Sequence, residues 1–171
     1  RIKKEKGILE LAEAFSRLHQ KHKNTVLWIA GPDEDFLHPK LEKITGICLI
    51  PFVNFPEKYM TASDVLCLPS HREGFGNVII EAGACGVPSI GSNIYGLNDA
   101  IVDGETGILI PLKSVSGLEN AMELLVNDSK LRHKMGKAAQ ERSASIFSQE
   151  ILTEQLVDLY KSLLQDHLYK A

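Results

Sequence analysis

The stretch Val65-Leu-Cys-Leu-Pro69-Ser-His-Arg-Glu73-Gly-Phe-Gly-Asn77-Val-Ile-Ile-Glu81-Ala-Gly-Ala-Cys85-Gly-Val-Pro88 starts as a short apolar run and passes into a polar loop with two glycines. It then enters an apolar segment that Gly86-Val87-Pro88 stops. That reads as strand, loop, helix. The same alternation extends in both directions. Thr25 to Ala30, Ile47 to Ile50, Val87 to Gly91 and Gly107 to Ile110 are further short apolar runs, each bounded by Gly or Pro. The first of these reads as a strand buried on both faces.

Between the runs lie helical patterns. Gly7 to His22 carries Ile8, Leu9, Leu11, Ala12, Phe15 and Leu18 on one stripe. Phe36 to Thr45 is weakly helical, and Glu57 to Ser63 has room for two turns. Ser116 and Glu119 have capping-box spacing ahead of the next helix. Asp128 to Ala144 makes a charged helix with Leu131 and Met135 inward, and Ser148 caps a last helix with the stripe Leu152, Leu156, Leu159 and Leu163. Short strands alternating with helices predict an α/β domain with a doubly wound, mostly parallel sheet and a helical C-terminal segment. Such sheets bind ligands at the carboxyl ends of their strands. Five segments should gather there: residues 1–6, 31–35, 51–55, 70–76 and 92–96.

The 171 residues are 44% hydrophobic, 24% charged and 6% aromatic, which fits one globular domain with a sizeable core. A formal charge of −3, from 19 basic and 22 acidic residues, argues against bulk nucleic-acid binding. No apolar run approaches membrane-spanning length, and there is no signal-peptide pattern. Cys48, Cys67 and Cys85 sit apart among apolar neighbours and read as packing thiols in a reducing compartment. The opening, Arg1-Ile-Lys-Lys-Glu-Lys6, leads to the expectation that the chain is a piece of something longer.

The loop before Asn77 feeds a helix amino end, where unpaired N–H groups and the dipole suit an anion. Gly74 and Gly76 would let backbone approach a ligand, although a tight turn with no ligand has the same look. Glu73 and Glu81 suit hydroxyl groups of a sugar or ribose; equally, they complement the helix dipole. Arg1, Lys3, Lys4 and Lys6 are either a solvated charged end or a diphosphate clamp. His71 either meets a ligand or holds the turn. No metal-ligand spacing, nucleophile elbow or Gly-Lys-Ser/Thr phosphate loop is present, and Ile79 stands where a dinucleotide fingerprint needs its third glycine.

Together these residues resemble family 4 of the retaining glycosyltransferases, whose GT-B fold pairs two Rossmann-like domains. Pro69 to Ala82 with Gly86-Val87-Pro88 looks like the family's Glu–seven-residue–Glu motif. Asp103-Gly-Glu-Thr-Gly107 looks like its D-G-x-T-G, and Arg1 with Lys6-Gly7 looks like its G-R-L-x-x-x-K-G. The resemblance covers nearly the whole chain and implies the C-terminal, donor-binding domain of a two-domain enzyme, residues 1–171. The acceptor domain and the strand ahead of Arg1 would lie outside it.

By position, the resemblance implies that Arg1 and Lys6 clamp the donor diphosphate and that Glu73 faces the transferred sugar. Gly74, Phe75, Gly76 and Asn77 would present the loop and helix end, Glu81 would hold the ribose, and Phe52 and Val53 would lie against the base. His71 belongs to the same donor-binding set. No metal or other cofactor is expected, since protein cations would neutralise the leaving diphosphate. The departures are Asn98-Asp99, where the family often has Glu next to Leu97, and Ala82-Gly83-Ala84, where Ala-Met-Ala is common. The implied partners are a nucleotide-sugar donor and the acceptor domain, with no nucleic acid. The implied location is cytoplasmic, with room for peripheral attachment of the parent to the inner face of a membrane. The rivals are a non-catalytic nucleotide-sugar-binding module and a nucleotide-sugar epimerase of the same fold.

Overall fold

The computed structural model describes residues 1–168, and side chains through residue 164. A single 3-10 turn, Lys4–Lys6, leads into α1 (Ile8–Lys21). There follow β1 (Leu27–Ala30), α2 (His38–Leu41), β2 (Ile47–Ile50), α3 (Pro56–Thr61), β3 (Leu66–Leu68) and α4 (Asn77–Ala84). The chain continues through β4 (Ser89–Ser92), α5 (Leu97–Ala100), β5 (Gly107–Ile110), α6 (Val115–Asn127), α7 (Ser129–Ile146) and α8 (Gln149–Leu168). All five expected strands form, and every strand pairing is parallel.

The strands fall into two sheets rather than one. β1 pairs with β2, and β4 lies between β3 and β5. The facing edges of β1 and β3 are separated by a cleft of roughly 1320 Å³. Leu27 N–H donates to the Gly46 carbonyl and Gly31 N–H to that of Ile50, so the alternation of a parallel ladder turns the N–H groups of Trp28 and Ala30 toward the cleft. The cleft also explains a departure from the expected burial. β1 is covered only on the Ile29 face, and Trp28 is 42% exposed. β4, with a strand on either side, is buried at all four positions.

Helix α1 joins the two sheets. Its Ala12 packs with Ile2, Ile29 and Leu41 beside β1, while Leu11, Phe15 and Leu18 pack with Ile90, Leu118 and Leu125 beside β4 and α6. Each of the buried Leu, Ile and Phe side chains contributes roughly 1.5–3 kcal/mol. The ion pairs that Arg17 and Lys21 make with Glu119 on α6 are half-exposed on the basic side, where solvent screening leaves them little net worth. The apolar stripe therefore fixes α1, and the charges trim its edge.

Several local expectations are corrected. Ser114, not Ser116, caps α6 by accepting from Gly117 N–H at 3.0 Å, because the helix begins two residues earlier than the capping-box spacing suggested. The weak helix at Phe36 to Thr45 shrinks to the single turn of α2, after Asp33 caps it by accepting from Leu37 and His38 N–H. Ser148 caps α8 as expected, whereas Asp128, read as the first residue of its helix, is instead the cap of α7, accepting from Leu131 N–H at 2.9 Å. The stripe Leu152, Leu156, Leu159 and Leu163 is exposed, since α8 departs from the domain after α7.

The cysteines divide. Cys67 faces the core, and burial pushes its thiol up to about 12. Cys85 is half-buried. Cys48 is exposed on β2 and is not a core thiol. A thiol reagent at pH 8 should therefore modify Cys48 in the folded protein and reach Cys67 only when urea unfolds it, which mass spectrometry of the labelled peptides would check.

Candidate functional site

The opening six residues are stitched onto two loops at the carboxyl edge. Ile2 N–H donates to Pro32 O at 2.8 Å, Glu34 N–H donates to Ile2 O at 3.1 Å, and Lys4 N–H donates to Asp35 Oδ2 at 2.7 Å. Those bonds tie the segment to the loop after β1. His71 N–H donates to Glu5 O at 2.7 Å and ties it to the loop after β3. The attachment requires Gly7, because a Cβ there would stand 2.1 Å from the Pro69 carbonyl oxygen.

This clamp sets the charges. The Lys6 ammonium pairs with Glu73, and both side chains are at least four-fifths buried. Ser70, fully buried, donates through its hydroxyl to the same Glu73 oxygen at 3.0 Å. His71 turns its Nε2 to Glu10 of α1 at 2.9 Å. Arg1 and Lys3 both reach Glu34, at 3.6 and 2.7 Å. The hydrogen bond from Lys3, with the Arg1 guanidinium nearby, holds the Glu34 carboxyl below the usual carboxylate range.

Helix α4 begins directly after Gly76, with no side-chain cap. Its first amides, at Asn77 and Val78, are therefore open to an anion. The two loop glycines serve different ends. Gly76 has φ +76°, a conformation that strains any residue with a Cβ, and a Cβ there would also press on the Leu97 side-chain methyl at 2.6 Å. A Cβ on Gly74 would meet nothing within 4 Å, so its bare backbone faces open space. Gly96 brings the loop after β4 onto this one: its Cβ would lie 2.5 Å from the Gly74 carbonyl oxygen.

The cleft walls bring together Arg1, Lys6, Glu73 and Phe75–Asn77, with Phe52 and Val53 on the opposite loop. Phe52 is 72% exposed, the disposition of a ring free to stack. Gly74 and His71 stand beside the cleft rather than in its wall, and Glu81 is exposed one turn into α4. The ring of Phe75 is turned aside onto Phe147, with centroids 5.4 Å apart. Among the described residues no group of three His, Cys, Asp or Glu side chains could hold a metal ion. None of the described helices is long and apolar enough to cross a membrane.

Glu10 and Phe147 are missed by the sequence reading. Glu10 lies on the polar side of a regular amphipathic helix, and only its three-residue step from Gly7 hints that it stays near the clamp. Phe147 has no local signal at all, because it is 72 residues from Phe75 in the chain.

The family described as Glycosyl transferases group 1 matches residues 1–142. Over 174 aligned residues the chain is 34% identical to the capsular polysaccharide biosynthesis glycosyltransferase CapM of Staphylococcus aureus, covering 97% of this chain and 45% of that protein. The sucrose-phosphate synthase of Thermosynechococcus elongatus superposes with a TM-score of 0.83 at 26% identity, over 97% of this chain and 44% of that one. The Anabaena protein HepE, in complex with UDP, superposes at 0.86 with 20% identity, over 95% of this chain and 47% of that one. The chain thus spans under half the length of these relatives.

The differing roles of the two loop glycines give a direct test. Gly76→Ala, strained in backbone and pressed on Leu97, should cost about 2–4 kcal/mol in urea unfolding, whereas Gly74→Ala should cost under about 1 kcal/mol.

Proposed function

This chain belongs to the glycosyl transferases group 1 family, and on that footing we propose that it binds the nucleotide diphosphate-sugar donor of a retaining glycosyl transfer. The observation that carries the reading is the convergence of Lys6, Glu73 and the uncapped start of α4 on one cleft wall. A donor presents a doubly charged diphosphate beside a neutral sugar. Cations and helix amides suit the first, and a carboxylate suits the hydroxyls of the second.

Lys6 has three N–H donors, so one stays on Glu73 while the others reach a phosphate oxygen. That places the cation between the leaving group and the residue facing the sugar. As the anomeric C–O bond breaks, negative charge grows on the diphosphate, and Lys6, Arg1 and the α4 amides are positioned to stabilise it. The acceptor oxygen would bond the anomeric carbon on the face that the diphosphate leaves, and its proton would pass to a group in the acceptor half of the protein. Glu81 would hold ribose hydroxyls and Phe52 with Val53 would lie along the base. With protein cations in these places, no metal is assigned a role. The complexes of HepE with UDP and with UDP-glucose support a uridine donor as the first to try.

The unpaired edges of β1 and β3 provide room for one further parallel strand between them. A segment leading into Arg1 is the natural source, because Arg1 lies in the cleft wall at the carboxyl end of β1. Such a strand would join the two sheets into one.

Titration of the intact protein with UDP, GDP and ADP tests the reading. One nucleoside diphosphate should bind saturably, and Lys6→Ala should weaken it by about 10-fold or more, as expected for loss of a charge-assisted phosphate contact of roughly 1.5–3 kcal/mol. Glu81→Ala should weaken UDP more than inorganic diphosphate. A folded protein that binds none of the three nucleotides would overturn the proposal.

A further inference from the structure

The loop that presents Gly74, Phe75 and Gly76 carries two glycines and makes a sharp entry into α4, so left to itself it would be costly to order around a ligand. Its Phe75 side chain packs on Phe147, at 5.4 Å between ring centroids and 60° between planes. Phe147 is the residue that ends α7, donating its N–H to Ser143 O at 3.1 Å, and Ser148 immediately caps α8.

The ring is itself held from below. The Arg142 guanidinium lies 5.3 Å from the Phe147 centroid and donates to the Asp99 carbonyl at 3.0 Å. Asp99 belongs to α5, which follows the Gly96 turn that abuts Glu73 and Gly74. Ser143, one turn before Phe147, donates to the Ile80 carbonyl of α4 at 3.1 Å. The end of α7 therefore touches the loop after β3, the helix it feeds, and the helix after the loop of β4. Phe147 lies beyond the residues matched by the family.

The geometry points to Phe147 as a positioning residue for donor binding: it fixes the Phe75 ring, and through it the Gly74–Gly76 backbone, in the conformation that meets the donor. This rests on the donor-site reading above. Phe147 touches no reacting atom in this account. It acts by removing the entropy that the loop would otherwise lose when the donor binds. An aromatic pair of this kind corresponds to about a 3- to 10-fold change in affinity.

The test is calorimetric titration of UDP, GDP and ADP into the intact protein, with the melting temperature of each variant measured alongside. Phe147→Ala should raise the Kd of the bound nucleotide about 3- to 10-fold. Phe147→Tyr keeps the ring and should restore wild-type affinity. Phe75→Ala should weaken binding to a similar degree, and the double variant should bind no more weakly than the weaker single one. If Phe147→Ala is too unstable to titrate, Phe147→Leu takes its place, keeping apolar volume without the ring. In steady-state assays the donor KM should rise while the acceptor KM stays put. A wild type that binds while Phe147→Ala or Phe147→Leu binds equally well, whatever its melting temperature, overturns this inference alone. A folded wild type that binds none of the three nucleotides overturns the donor reading and this inference with it.

Discussion

The contact of Gly7 with the Pro69 carbonyl sets the geometry of the site. Any side chain at position 7 would drive the start of α1 away from the end of β3. With glycine there, the 3-10 turn of residues 4–6 lies against the loop after β3, and His71 N–H closes on the Glu5 carbonyl. Lys6 then meets Glu73, and His71 meets Glu10. A backbone approach thus decides which charges become partners. The energy of the resulting ion pair follows from that placement, because a part-buried pair is screened far less than a surface one.

The same contact bears on the division of the sheet. β1–β2 and β3–β4–β5 share no hydrogen-bonded edge, yet they hold a common frame because α1 packs on both. The cleft between them follows from this arrangement. Side chains of β1 and β3 that would be covered in a continuous sheet, Trp28 most clearly, are left half-exposed. The carboxyl end of the cleft is polar and charged, and its interior is apolar, lined by Leu27, Ile29, Leu66 and Leu68.

Rigidity at the site comes from outside the cleft. Glycine at 96 lets the loop after β4 crowd the backbone of Glu73 and Gly74, and glycine-rich backbone such as Gly74–Gly76 is the kind that moves most freely when unsupported. Support arrives from two directions. On one side stand Glu10 and Ser70, bonded to His71 and Glu73. On the other stand Phe147 and Arg142 at the end of α7.

The sequence by itself determined the order of elements, the five parallel strands and the set of loops at the carboxyl edge. Those features depend on local period and on Gly and Pro punctuation, both of which are written in contiguous residues. Lys6, Glu73, Gly76 and Asn77 were legible for the same reason: each belongs to a short run whose spacing carries its meaning. The caps were legible to within one turn, since Ser114 and Ser116 offer the same hydroxyl and only packing of α6 selects the first. Tertiary structure alone decided that the sheet divides, that Cys48 faces outward, that Glu10 closes on His71, and that the Phe75 ring packs on Phe147. Each of those outcomes depends on residues far apart in the chain meeting in space. A local pattern records what an element is, whereas the contact that gives it a partner exists only once the chain has folded.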